Sequence, residues 1–215
     1  MVRYMRRGWP AVLGTAAGFI AGTVLTRHVL HRQVAAARAL AEQDPLTGLP
    51  NRRALLGEVH TRLAARAPTV LVLIDLDDFK AVNDTHGHLT GDDMLTTVAE
   101  RMVAALRRGG YVARLAGDEF VLLLDDDTDP AATVAAVLTA LSQPVRLAGV
   151  TLRPRASAGV SAAGPGVRTW RQLIAGADRA LYRAKATGTR VVVDNTCDAA
   201  DTAPVPPPQR RRNRH

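Results

Sequence analysis

The apolar positions divide the chain into three unequal parts. Trp9 to Thr26, WPAVLGTAAGFIAGTVLT, is a run of eighteen residues without a charge, flanked by Arg6, Arg7, Arg27 and Arg32. As a helix such a run reaches roughly 27 Å, enough for a short crossing of a hydrocarbon core about 30 Å thick. The pattern predicts a transmembrane helix over 9–27 behind a short basic N-terminus, 1–8. A cleaved signal peptide is the alternative, because arginines precede the run and AAARA follows it. Gly14, Gly18 and Gly22 recur every fourth residue and would line one face where two such helices could pack closely. Arginines on both sides leave the orientation undecided by charge. Leu30, Val34, Ala37 and Ala41 then fall at helical spacing and predict a helical linker over 28–43. At the far end, 197–215, proline gives way to arginine in APVPPPQRRRNRH, which reads as a disordered tail.

Between the ends the period changes repeatedly. TVLVLID is a continuous apolar strand that ends on an acid, and GDDMLTTVAERMVAALRR has helical spacing, with acids placed in its first turn and arginines in its last. YVARL and FVLLL form the arms of an antiparallel hairpin. DPAATVAAVLTALSQ predicts a helix with Pro130 near its first turn, followed by the strand-like PVRLAG and VTLRPRASAGVSA. WRQLIAGADRALYRAKATG reads as a last helix ending at Gly188, and RVVVD as a last strand. Helices alternating with strands predict an α/β domain over 44–196, with helices flanking a central mixed sheet.

Charge and composition narrow the partners. The formal net charge is +8, yet residues 45–196 hold 18 Lys and Arg against 16 Asp and Glu, so most of the excess lies in the two ends. That argues against a nucleic-acid partner for the folded part, and the 4% aromatic content offers little for base stacking. The single cysteine, Cys197, cannot close an internal disulfide.

The chemistry collects where strands end. Asp75 closes the first strand, and the adjacent pair Asp118–Glu119 sits at the hairpin turn, where two ordinary arms would need no glutamate. If those strands are neighbours, three carboxylates meet at one end of the sheet. Like charges raise one another's pKa unless a cation neutralises them. A hard divalent ion, Mg²⁺ or Mn²⁺, shared with substrate phosphates would do so. Gly117 would let the backbone turn tightly and approach a phosphate without a Cβ in the way.

Four stretches carry a resemblance: DPLTGLPNRR (44–53), IDLDDFKAVNDTHGHLTGDDML (74–95), RLAGDEF (114–120) and ADRALYRAKATG (177–188). In this order they resemble the motif series of GGDEF-domain diguanylate cyclases, from about Asp44 to Asp194. The resemblance implies a fold related to the nucleotide-cyclase and polymerase palm, and condensation of two GTP into cyclic di-GMP with release of two pyrophosphates. It also implies a homodimer of two GTP-loaded domains and, because GTP is cytosolic, a catalytic domain on the cytoplasmic side of the inner or plasma membrane. On this likeness Asp75, Asp118 and the backbone carbonyl of Leu76 match the metal ligands. Glu119 matches a residue used in metal binding or proton transfer, and the sequence does not choose between the two. Asn83 and Asp92 match the base-recognition positions, and their donors and acceptors suit the N1–H and N2–H groups of guanine. Each also has a structural reading: Asn83 as the end of a short helix, Asp92 as a first-turn acid. Lys80 and Lys185 match phosphate contacts. His86 and His88 stand close together in the sequence but lack a third nitrogen or sulfur ligand nearby.

Three departures from the family pattern stand out. Ala116 replaces the first glycine of the signature, which is tolerable if φ is negative there and damaging if the backbone needs a left-handed conformation or touches substrate. Thr189 stands where the family has a phosphate-binding arginine, with Arg190 one position late; a one-residue shift in a strand turns a side chain to the other face. Glycine at 110 removes the aspartate of the family's Arg-x-x-Asp feedback motif, leaving Arg107, which predicts weak or absent product binding there. The alternative to a cyclase is therefore a degenerate domain that binds GTP or partner proteins and signals without turnover.

Overall fold

The computed structural model of the chain describes residues 41–106, 110–125, 129–164 and 167–194. The expected transmembrane helix 9–27, most of the linker 28–43, the tail 197–215 and Arg107 lie outside the described residues. Among the described residues no helix is long and apolar enough to cross a membrane.

The elements run α1 (Arg52–Ala64), β1 (Val70–Leu76), α2 (Phe79–His86), α3 (His88–Ala105), β2 (Gly110–Ala116), β3 (Glu119–Leu124), α4 (Pro130–Leu141), β4 (Val145–Leu147), β5 (Val150–Leu152), β6 (Ala156–Ala162), α5 (Trp170–Thr187) and β7 (Val191–Val193). Five strands form the main sheet in the order β2-β3-β1-β6-β7; only the β6–β7 pair is parallel, so the sheet is mixed as expected. The continuous apolar run of β1 is explained by its central place, with both faces covered. Val70, Val72, Ile74 and Leu76 pack toward α3 and α4, with Met94, Val98, Met102, Val134 and Leu138 in the same core. Leu71 and Leu73 pack with Leu55 and Val59 of α1 and Leu173, Ala177 and Leu181 of α5. This parity places Asp75, the next odd-numbered residue, on the α5 side.

Local chemistry sets the element ends. Asn51 Oδ1 accepts from the amides of Arg53 and Ala54, and Asp129 Oδ1 from those of Ala131 and Ala132, so both act as N-caps. Thr169 and Gln172 close a capping box at the start of α5, and Gly188, at φ 71°, ends it. Gly159 on β6 is what lets α5 lie close: a Cβ there would stand 2.0 Å from the carbonyl oxygen of Ala177 and 2.3 Å from the amide of Leu181.

Two expectations need correcting. The helix bearing Asp92 begins at His88, after Gly87 at φ 84° breaks the chain between α2 and α3, so Asp92 lies in the second turn and not the first. The segment VTLRPRASAGVSA is not one strand. Pro154 lacks an amide proton and restricts Arg153 before it, and the segment divides into β5 and β6. β5 pairs only with β4, in a hairpin whose turn residues Ala148 and Gly149 both have positive φ.

Candidate active site

The site begins with the register of β1 against β3. Asp75 pairs directly with Glu119, and in an antiparallel ladder opposite residues share a face. Both carboxylates therefore face α5. Asp118 occupies the turn just before β3, and its carbonyl accepts the Leu76 amide at 3.3 Å. The sheet thus brings together Asp75, Leu76, Asp118 and Glu119 at one end of its central strands, as the sequence predicts.

Gly117 adopts φ +51°, a left-handed conformation open to glycine with little strain. Its carbonyl accepts Arg114 Nε at 2.9 Å and Nη2 at 2.7 Å, while Arg114 Nη1 reaches Asp44 Oδ1 at 2.9 Å. Asp44 Oδ1 also accepts from the amide and hydroxyl of Thr47. Burial pushes the Asp44 carboxyl up, but Thr47 and Arg114 outweigh it and hold the group below its ordinary value. The signature turn is therefore tied to the segment that opens the domain. Ala116 is not among the residues with positive φ and is exposed, so its methyl fits the turn without strain.

Burial raises the pKa of Asp75, with Asp118 and Asp77 adding to the rise and Lys185 opposing it. Lys185 Nζ makes a close ion pair with Asp75 Oδ1 from the last turn of α5. Burial also pushes Glu119 up, followed by the charges of Asp75, Asp118 and Asp178. Asp178 was not singled out from the sequence. Its signal was available, because it precedes Lys185 by seven residues, two helical turns on the same face of α5.

Asn83 and Asp92 are held at the α2–α3 junction. Asn83 Oδ1 is buried and has no hydrogen-bond partner among the described residues. It lies against Gly91, where a Cβ would come within 1.9 Å of it, and Gly91 is the residue before Asp92. The side chain is therefore not a helix cap. A buried acceptor left without a donor costs about 1–3 kcal/mol. Asp92 is exposed and beyond the turn where a helix dipole stabilises an acid. Lys80 is exposed on the first turn of α2.

The residues fit a hard divalent ion of the Mg²⁺ kind. Asp75, half-buried with a raised pKa, adjoins Leu76 at the end of β1, and Asp118 is joined to Leu76 through the backbone. Mg²⁺ is ordinarily held by one or two carboxylates together with substrate phosphates. Among the described residues no group of three or more His, Cys, Asp or Glu side chains is placed to hold a metal ion, so substrate oxygens would have to complete the site. Beside these residues opens a cavity of about 350 Å³, whose wall includes Asp77, Asp78, Arg155, Ser157, Lys185 and Arg190.

The domain is thus a mixed sheet with helices on both faces and an acidic cluster at the ends of its central strands. The family described as diguanylate cyclase, GGDEF domain, matches residues 41–190, and the chain belongs to it. Diguanylate cyclase DgcP of Pseudomonas aeruginosa is 36% identical over 170 residues, covering 74% of this chain and 24% of that protein. Diguanylate cyclase SiaD of Pseudomonas aeruginosa, solved in complex with its activator SiaC, is similar at 32% identity with a TM-score of 0.69, over 84% of this chain and 72% of that one. The coiled coil and GGDEF domain of DgcB from Caulobacter crescentus, solved in complex with c-di-GMP, gives 25% identity and a TM-score of 0.72 over 83% and 99%. The chain spans between 20% and 27% of the length of the curated relatives it matches at 40–41% identity.

Proposed function

We propose that the chain is a metal-dependent diguanylate cyclase that joins two GTP into cyclic di-GMP and two pyrophosphates. The observation that carries this reading is the pairing of Asp75 with Glu119 across β1 and β3, with Asp118 at the adjoining turn. Asp75, Asp118 and the carbonyl of Leu76 would hold Mg²⁺ or Mn²⁺. Bound there, the ion would offset the triphosphate's charge and make a 3′-hydroxyl easier to deprotonate. Glu119, pushed up by burial and three neighbouring acids, is suited to take a proton nearer neutral pH than an exposed glutamate. Asn83 and Asp92 select guanine, and the orphaned Asn83 Oδ1 supports that role. Lys80 and Lys185 contact phosphates. Each 3′-hydroxyl attacks the α-phosphate of the other nucleotide, so the product has two-fold symmetry and two domains, a homodimer, must meet face to face.

The non-catalytic reading keeps one ground. Thr189 offers no cation at that position, and its hydroxyl accepts from that of Thr187 at 3.1 Å. The other ground, Ala116, is weakened by its place outside the positive-φ residues, which leaves contact of its methyl with substrate as the way it would act. The uncharged run at 9–26 supports membrane anchoring, and the cytosolic location of GTP supports a domain on the cytoplasmic side.

Purified full-length protein incubated with GTP and Mg²⁺ should yield cyclic di-GMP by chromatography. ATP should give nothing, and Asp118→Ala should abolish the product. GTP left intact at dimer-favouring concentrations would favour the nucleotide-binding reading over the enzyme.

A further inference from the structure

The family's phosphate-binding arginine is missing at Thr189, and the residue that follows it does not fill the gap. Arg190 also lines the 350 Å³ cavity, but its Nη2 donates to the carbonyl of Leu138 in α4 at 2.8 Å, so its guanidinium is already engaged. This leaves the question of which cation stands beside Lys185. Lys185 itself is engaged with Asp75.

The break between β5 and β6 supplies one. Leu76 pairs with Ala156 in the β1–β6 ladder, so Arg155 stands one step beyond, opposite Asp77. The Asp77 amide donates to the Arg155 carbonyl at 2.8 Å, and Ser157 Oγ donates to Asp77 Oδ1 at 2.9 Å. These bonds pin the Arg155 backbone to the loop that follows the Asp75–Leu76 pair. By strand parity its side chain leaves the sheet on the side of Asp75 and Ser157, the side covered by α5. Arg155 is exposed, makes no side-chain hydrogen bond or ion pair among the described residues, and lines the 350 Å³ cavity with Lys185. Asp77 also lines it, but its carboxylate is turned to the Ser157 hydroxyl. A surface arginine in open solvent would have neither the backbone pin nor the cavity wall.

We propose that Arg155 binds the terminal phosphates of the nucleotide, in place of the arginine absent at 189. A planar guanidinium can grip two phosphate oxygens at once, which a lysine cannot. The proposal rests on the reading of the chain as a GTP-binding domain and names a residue outside the motif blocks that identify the family.

The test is the Kd for GTP, by calorimetry with Ca²⁺ in place of Mg²⁺, for the full-length wild type, Arg155→Ala, Arg155→Lys and Arg155→Ala/Thr189→Arg. Loss of a charged phosphate contact should raise Kd roughly ten- to fifty-fold in Arg155→Ala. Arg155→Lys should fall between, and the added arginine at 189 should restore affinity. Equal affinity of wild type and Arg155→Ala overturns the proposal alone. Weakened binding that Thr189→Arg does not restore also overturns it, since Arg155 would then act by holding the loop. A wild type that binds no GTP overturns the cyclase reading and this proposal together.

Discussion

Replacing Ala116 by glycine restores the family's signature and separates two explanations of that position. If the methyl obstructs the substrate, its removal should raise activity; if it is only a tolerated side chain, removal should slightly lower stability. The structure favours the second. Ala116 is exposed, is not in the left-handed region, and pairs with Glu119 across the turn after a bulge at Leu115. No buried apolar area is lost, so the effect is the extra freedom of glycine in the unfolded chain, about 0.4–1 kcal/mol. In a domain of this size that is roughly 1–4 °C in Tm. Gly117→Ala is the contrasting variant. It forces a Cβ into φ +51°, costing about 1–2 kcal/mol, in a turn whose carbonyl is fixed by two bonds from Arg114. Thermal unfolding and initial rates of cyclic di-GMP formation should be measured for both. The expectation is unchanged turnover within about twofold for Ala116→Gly and at least a tenfold loss for Gly117→Ala, in line with a distorted turn. A tenfold gain in Ala116→Gly, or wild-type stability in Gly117→Ala, would refute the reasoning.

Asp44 links the domain's opening segment to the signature turn. Its folded pKa is depressed, so its stabilisation is complete above the ordinary value of 3.8 and is lost as pH falls through the lower folded value. Asp44→Asn should therefore be less stable than wild type at pH 7 by about 1–2 kcal/mol in urea, and the gap should close in acid; a gap independent of pH contradicts this. Asn83→Ala removes a buried orphan acceptor, so the nucleotide-free protein should melt no lower than wild type while the stabilisation by GTP disappears. A lowered melting point with an intact GTP shift would make Asn83 structural. Gly159→Ala pushes a methyl into the backbone of α5 and should destabilise by about 1–3 kcal/mol or more, with loss of turnover as Lys185 moves; wild-type stability would mean α5 can yield.

Much of this architecture was legible before any coordinates. The apolar run of β1, the apolar arms of β2 and β3 and the capped helices α4 and α5 follow from period and end signals. Asp75 and Asp118–Glu119 were legible as chemistry because charges at strand ends lacked a structural reason. Strand order was not, since a period of two says which face a residue takes and not which strand lies beside it. The contact of Asp75 with Glu119 and the place of Arg155 opposite Asp77 depend on that order. Asn83 shows the same limit in another form. Its residue type suits guanine, but only packing against Gly91 shows that its oxygen is buried and unmatched. The start of α3 was misplaced because Gly87 acts through a single backbone angle, which leaves no periodic trace.

The central claim is that Asp75 and Asp118 hold the ion on which GTP is cyclised. Its most direct test is Mn²⁺ binding to the full-length protein with GTP present, followed by electron paramagnetic resonance, with product measured in the same samples. Wild type should take up Mn²⁺ and form cyclic di-GMP, whereas Asp75→Asn and Asp118→Asn should lose both together. Uptake of Mn²⁺ by the two variants equal to that of wild type would contradict the account.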